Sequence, residues 1–205
     1  MSIKKTHFVA PNDPVLIKIA QEVPDITASK TKITIRKILD IAHGNRKNRS
    51  KPTVVGLAAP QIGVSQRIIA VDVGADGYGR LSDMRVYLNP VIIVESVRKE
   101  EWCEGCWSTD RVCGVVNRSL QITLQAYTPT GEKVEETYSG YVARIFQHEI
   151  DHLNGIEFVN RVTDASKLHW VEKDEWIDYK TNEGWREWHN ICPRERWEKI
   201  KGIRF

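Results

Sequence analysis

Residues Tyr141 to Gly155, YVARIFQHEIDHLNG, decide how this chain is organised, because one helix there carries both an apolar packing surface and the most reactive side chains. At helical spacing Tyr141, Ile145, His148 and His152 share one face, Val142, Phe146 and Leu153 widen it, and Asn154 with Gly155 supplies a stop. Such a helix is expected to be largely buried, and unpaired imidazoles are costly in an apolar setting. Inside it, Gln147-His148-Glu149-Ile150-Asp151-His152 contains H-E-x-x-H. Histidines four apart lie one turn from each other, so two rings can converge on one metal ion while Glu149, just beside them, reaches a water at the same centre. That is the arrangement of metal-assisted hydrolysis.

A catalytic zinc-like centre commonly has three protein ligands. Downstream the chain reads LNGIEFVNRV, with no further histidine. Upstream, Glu104-Gly105-Cys106-Trp107-Ser108 sets a cysteine behind a glycine that permits close backbone approach, which makes Cys106 the natural third ligand. A competing arrangement joins Cys103 and Cys106, as C-x-x-C, to the two histidines in a closed Cys2His2 site. It leaves Glu149 with no water to activate. A third stretch, Val54-Val55-Gly56-Leu57-Ala58-Ala59-Pro60-Gln61-Ile62-Gly63, has small residues that admit a ligand or another chain to the backbone, and Gln61 adds an amide that both donates and accepts. It lacks the P-loop lysine and the G-x-G-x-x-G spacing, so phosphate binding is not supported.

Outward from these motifs, Ser29 onward reads as a helix with Ile35, Ile38, Leu39 and Ala42 on its buried face and His43, Gly44 and Asn45 as its stop. The basic stretch GNRKNRSKP that follows reads as a solvated loop. The β-branched runs IIAVDV from Ile68, RVYLNP from Arg85 and VIIVES from Val91 read as strands separated by turn formers. SLQITLQAY alternates Leu120, Ile122, Leu124 and Ala126 inward, then TPTGEK turns into VEETY, an antiparallel hairpin. Five of the seven tryptophans lie in the last 40 residues among 9 basic and 8 acidic side chains, so that segment is expected to pack its rings on the domain. With a balance of +1 it lacks the charge of a single-strand-binding groove.

The 205 residues, 28% charged and 41% hydrophobic with a net charge of +3, have ordinary globular values that exclude disorder, collagen and a dedicated nucleic-acid arm. A chain of this length buries about 70% of its surface on folding, enough for a core without disulfides. The four cysteines are therefore read as metal-binding, reactive or packing residues. No apolar run approaches the roughly 20 residues of a membrane span, and no secretory or transit signal begins the chain, so it is expected in the cytoplasm.

Taken in order, GLAAPQ, EGCWS and QHEIDH resemble the three motifs of the peptide deformylases, over roughly Pro14 to Val162. The resemblance implies an α+β fold: antiparallel β-sheets wrapped around a central helix carrying HExxH, with an N-terminal helix. Residues 1–165 would form the deformylase domain and 166–205 a Trp-rich extension. It further implies removal of formyl from N-formylmethionine of nascent chains. Cys106, His148 and His152 would be metal ligands, Glu149 the acid/base, and Gln61 with the backbone N–H of Trp107 the oxyanion donors. Val55, Gly56, Glu104, Gly105, Tyr141, Arg144 and Ile145 would bind substrate. The ion would be ferrous iron, with zinc, nickel or cobalt as substitutes. A monomer is expected, open to transient ribosome contact, with neither membrane nor sequence-specific nucleic acid as partner. Two departures stand out: Val54 where the family usually has glycine, and Trp107-Ser108-Thr109-Asp110 where it usually has Leu-Ser with a proline shortly after. Two other readings use the same residues: a related hydrolase acting on another formylated amine, and a catalytically silent binding module.

Overall fold

The computed structural model describes residues 7–46, 54–78 and 82–202. The first helix, α1 (Ser29–Arg46), begins beside Asp25, whose carboxylate accepts from the N–H groups of Thr27 (2.8 Å) and Ala28 (3.1 Å). It runs past the expected stop at His43 and Gly44, and its buried stripe is Thr31, Thr34, Ile38, Ile41 and Ala42, with Ile35 and Leu39 only half-buried. Most of the basic loop lies outside the described residues.

A five-stranded sheet has the order β1 (Gly56–Ala58), β2 (Ile68–Asp72), β3 (Met84–Glu95), β6 (Gln121–Tyr127), β7 (Lys133–Ser139), every pair antiparallel. The two runs expected as separate strands around Asn89-Pro90 form the single strand β3. Asn89 takes a positive φ of 50°, and the register with β6 shifts between Leu88 and Val91. The turn formers make a bulge rather than a break. β2 is buried throughout because both its faces are covered: Ile68 and Ala70 meet α1, while Ile69 and Val71 face the central helix. Its apolar run therefore shows no alternation.

A second, three-stranded antiparallel sheet has the order β4 (Lys99–Gly105), β5 (Val112–Ser119), β8 (Leu168–Trp170). The central helix α2 (Gly140–Leu153) lies between the sheets and ends at Asn154, with Gly155 at φ 70°. Ala143, Phe146, Ile150 and Leu153 pack on Ile122, Leu124 and Ala126 of the large sheet. On the other side the Gln147 amide accepts from Ser119 N–H (3.1 Å) and donates to Ser119 C=O (2.9 Å), pinning α2 to the end of β5.

The C-terminal residues cover both faces of the small sheet. Tyr179 of α3 (Trp176–Lys180) and Trp185 pack against Cys103, Cys113 and Val115, while Trp197 of α4 (Arg194–Ile200) joins Val112, Val116 and Trp170. No helix among the described residues is long and apolar enough to cross a membrane.

Candidate active site

Two elements bring the expected ligands together. Cys106 follows β4, and His148 and His152 lie one turn apart on α2. One donor atom from each falls within 4.8 Å of the other two, and Cys106 Sγ lies 3.2 Å from His152 Nε2. Gln61 arrives from the opposite side, in the 3₁₀ turn Ala59–Ile62 that follows β1. Its Oε1 accepts from Ala58 N–H at 2.7 Å, which turns Nε2 inward to donate to Cys106 Sγ at 3.1 Å. Ser108 N–H also donates to this sulfur, at 3.4 Å.

Glu149 is buried, and its Oε2 has no hydrogen-bond partner among the described residues. Burial pushes its carboxyl up to about 7, against the pull of the neighbouring His148. It lies against Gly56 of β1: a Cβ there would come within 2.6 Å of Ile145 Cγ2 and closer still to Glu149 Oε1. Only glycine lets β1 pass this close to the carboxylate.

The rings are oriented from behind. His148 Nδ1 lies 2.9 Å from Glu104 Oε2, which leaves Nε2 as the nitrogen available to the donor set. Glu104 also accepts from Arg118 (2.6 and 2.8 Å) and from Arg144 (2.9 Å), and Arg118 reaches Asp151 at 2.7 Å, which Arg161 pairs at 2.6 Å. Burial alone would raise the Glu104 carboxyl, but Arg118 and His148 outweigh it and hold it well below the usual range. Burial pulls His148 down, yet bonds to Cys106 and Glu104 keep it well above its ordinary value; burial first, then the charge of His148, keeps His152 well below. A divalent cation would compete with protons for such a donor set. A soft thiolate, two imidazoles and an unpartnered buried carboxylate oxygen fit one such cation with space for a reacting group.

The remaining expected residues fall into two groups. Ile145 stands beside Gly56, and Val55 and Tyr141 pack on the core shared by α2 and the large sheet, Tyr141 against Gly77 and Trp102. Glu104 and Arg144 are committed elsewhere: the Arg144 guanidinium, bonded to Glu104, also donates to the carbonyls of Val116 (2.9 Å) and Glu100 (2.6 Å). The Trp107 ring is turned outward and stacks on Phe8. Gly105 lies beneath Trp176 of α3, whose ring would be 3.0 Å from a Cβ there. Cys103 faces the outer core with Cys113, away from the ligand set, and burial raises both thiols above their ordinary values. The closed Cys2His2 arrangement is therefore not formed. Arg118, Gln147 and Asp151 escaped sequence reasoning; Gln147 and Asp151, polar and four apart on an apolar helix, were the available signal.

An α+β molecule that folds two antiparallel sheets around a helix bearing a His2Cys donor set and a buried carboxylate belongs to the class of mononuclear metallohydrolases. Residues 5–168 match the polypeptide deformylase family, and the chain belongs to that family. It is 41% identical to the peptide deformylase of Halalkalibacterium halodurans over 163 residues, 76% of this chain and 88% of that one. The crystal structure of peptide deformylase from Thermotoga maritima superimposes with a TM-score of 0.66 at 34% identity, covering 77% of this chain and 97% of that one. A Plasmodium falciparum peptide deformylase in complex with an inhibitor gives 0.65 at 30%, covering 87% and 99%.

Proposed function

We propose that this enzyme removes the formyl group from N-formylmethionine of newly made polypeptides with Cys106, His148 and His152 holding one divalent cation, Glu149 moving the proton, and Gln61 and the Trp107 N–H meeting the developing negative charge. The buried, unpartnered Glu149 Oε2 beside the His2Cys set carries this reading. A bound cation supplies Lewis acidity toward water and the formyl carbonyl.

Glu149, poised near neutrality, accepts a proton as water attacks the formyl carbon. Negative charge then gathers on the formyl oxygen, which Gln61 Nε2 and the Trp107 N–H would meet; one such donor is typically worth about 10²- to 10³-fold in rate. The protonated Glu149 gives its proton to the departing amine as the C–N bond breaks, and formate leaves. β1 and β4 each end their sheet's strand order. That supports a peptide lying as an added strand beside Gly56 and Gly105, held through main-chain bonds that tolerate varied sequences. Val55, Tyr141 and Ile145 then flank the methionine side chain, and Arg144 contributes only its aliphatic stem.

Ferrous iron is the ion we propose in the cell, with zinc, nickel or cobalt able to replace it, since a His2Cys set suits several divalent metals. The proposal extends to a cytoplasmic monomer whose substrate is met as it leaves the ribosome, and to residues 166–205 as an extension of the domain formed by 1–165. The test is formate release from formyl-Met-Ala beside an N-formylated amine that lacks methionine. Turnover of the second but not the first would overturn the nascent-chain assignment. Glu149→Ala is expected to lower kcat by about 10²- to 10⁴-fold while metal content, measured by atomic emission, stays at the wild-type level.

A further inference from the structure

The two proposed oxyanion donors come from different sheets, Gln61 after β1 and Trp107 after β4, so something must fix their relative position. Two consecutive residues near the N-terminus touch both. The Phe8 ring stacks on the Trp107 indole with centroids 5.4 Å apart and planes 8° from parallel. Val9 N–H donates to the Gln61 carbonyl at 3.0 Å. Even with this stack in place Trp107 is 39% exposed.

The segment is itself fastened. Lys201, just past α4, donates from Nζ to Pro11 C=O at 2.6 Å and pairs with Glu157 at 2.9 Å. Its side chain is 8% exposed. Glu157 follows the end of α2, so a single ammonium ties the N-terminal segment, the exit of the histidine helix and the C-terminal helix together. Lys201 lies beyond residues 5–168, which match the family.

We infer that residues 8–11 form a strap that positions Gln61 and Trp107 for deformylation, and that Lys201 of the C-terminal segment holds this strap; the inference rests on the roles given above to those two donors. Phe8, Val9 and Lys201 are positioning residues: they act through the donors. A misplacement of about 1 Å can cost about 10²-fold in rate without weakening ground-state binding.

The test uses full-length Phe8→Ala, Phe8→Tyr and Lys201→Met, each assayed with formyl-Met-Ala and analysed for metal. Phe8→Ala is expected to lower kcat by about 10- to 10²-fold with KM within about twofold and metal content unchanged. Phe8→Tyr should restore most of the loss, and Lys201→Met should lower kcat in the same direction. Amide hydrogen exchange should quicken in Phe8→Ala over residues 57–63 and 105–109 but not along α2. Wild-type kcat in Phe8→Ala, a loss residing in KM or metal content, or no recovery in Phe8→Tyr would overturn the strap. The exchange measurement stands apart from turnover: a wild-type protein that released no formate would count against the functional reading, whereas unchanged exchange at 105–109 would count against the strap itself.

Discussion

The Glu104 carboxylate accepts four hydrogen bonds, two from Arg118, one from Arg144 and one from His148. Every one is buried or nearly so, and removing one member of such a set strands charges that water cannot reach. Glu104→Gln is expected to cost about 3–5 kcal/mol in urea unfolding. It should also weaken metal affinity by about 10- to 100-fold in a chelator competition, because His148 loses the partner that fixes its ring. The proposed ligands Cys106, His148 and His152, with Glu149 and Gln61, stood out in the sequence because their chemistry is local there: a glycine before a thiol, a one-turn histidine spacing, an amide in a small-residue bend. The network behind them was not. Its members stand at 104, 118, 144, 151 and 161, and no short spacing announces that a β-strand arginine will bridge a second strand's carboxylate to a helix.

Among the elements, legibility followed burial. The β6–β7 hairpin has one face in the core, so Ile122, Leu124 and Ala126 alternate with polar residues and the pattern is plain. β5 is covered on both faces, by Phe158 and Val162 on one and by Tyr179 and Trp185 on the other, so VCGVVNRS carries no alternation to read. β4, KEEWCEG, begins exposed and ends buried, and its charges conceal a strand. Gly44 failed to stop α1 because a single glycine inside a helix costs only about 1 kcal/mol, which packing by Ile41 and Ala42 offsets. The outer cover of the small sheet is a stability element. Trp185, 3% exposed, fills the space over Cys103, Cys113 and Val115. Trp185→Ala is expected to destabilise by about 3–5 kcal/mol, lowering Tm by roughly 6–20 °C in a thermal melt.

At the level of the whole molecule, the two sheets share no strand pairing among the described residues and meet through α2. The proposed ligands span that junction, since Cys106 directly follows β4 of the small sheet and the histidines lie on the helix. Removing the cation with a chelator is therefore expected to lower Tm, and readdition of a divalent metal to restore it in proportion to free metal concentration over Kd, as for any ligand that binds only the native state. An unchanged Tm on metal removal, with removal verified by elemental analysis, would show that the ligand set does not join the two halves energetically.

The placement of Gln61 and Cys106 at the ends of edge strands in separate sheets makes the reacting centre a seam riveted at one point. Shear along a seam takes only local opening, which needs less free energy than melting the molecule. Catalytic competence should therefore fail at lower urea than helical circular dichroism does, with inactivation reporting slippage between two intact halves rather than the collapse of either.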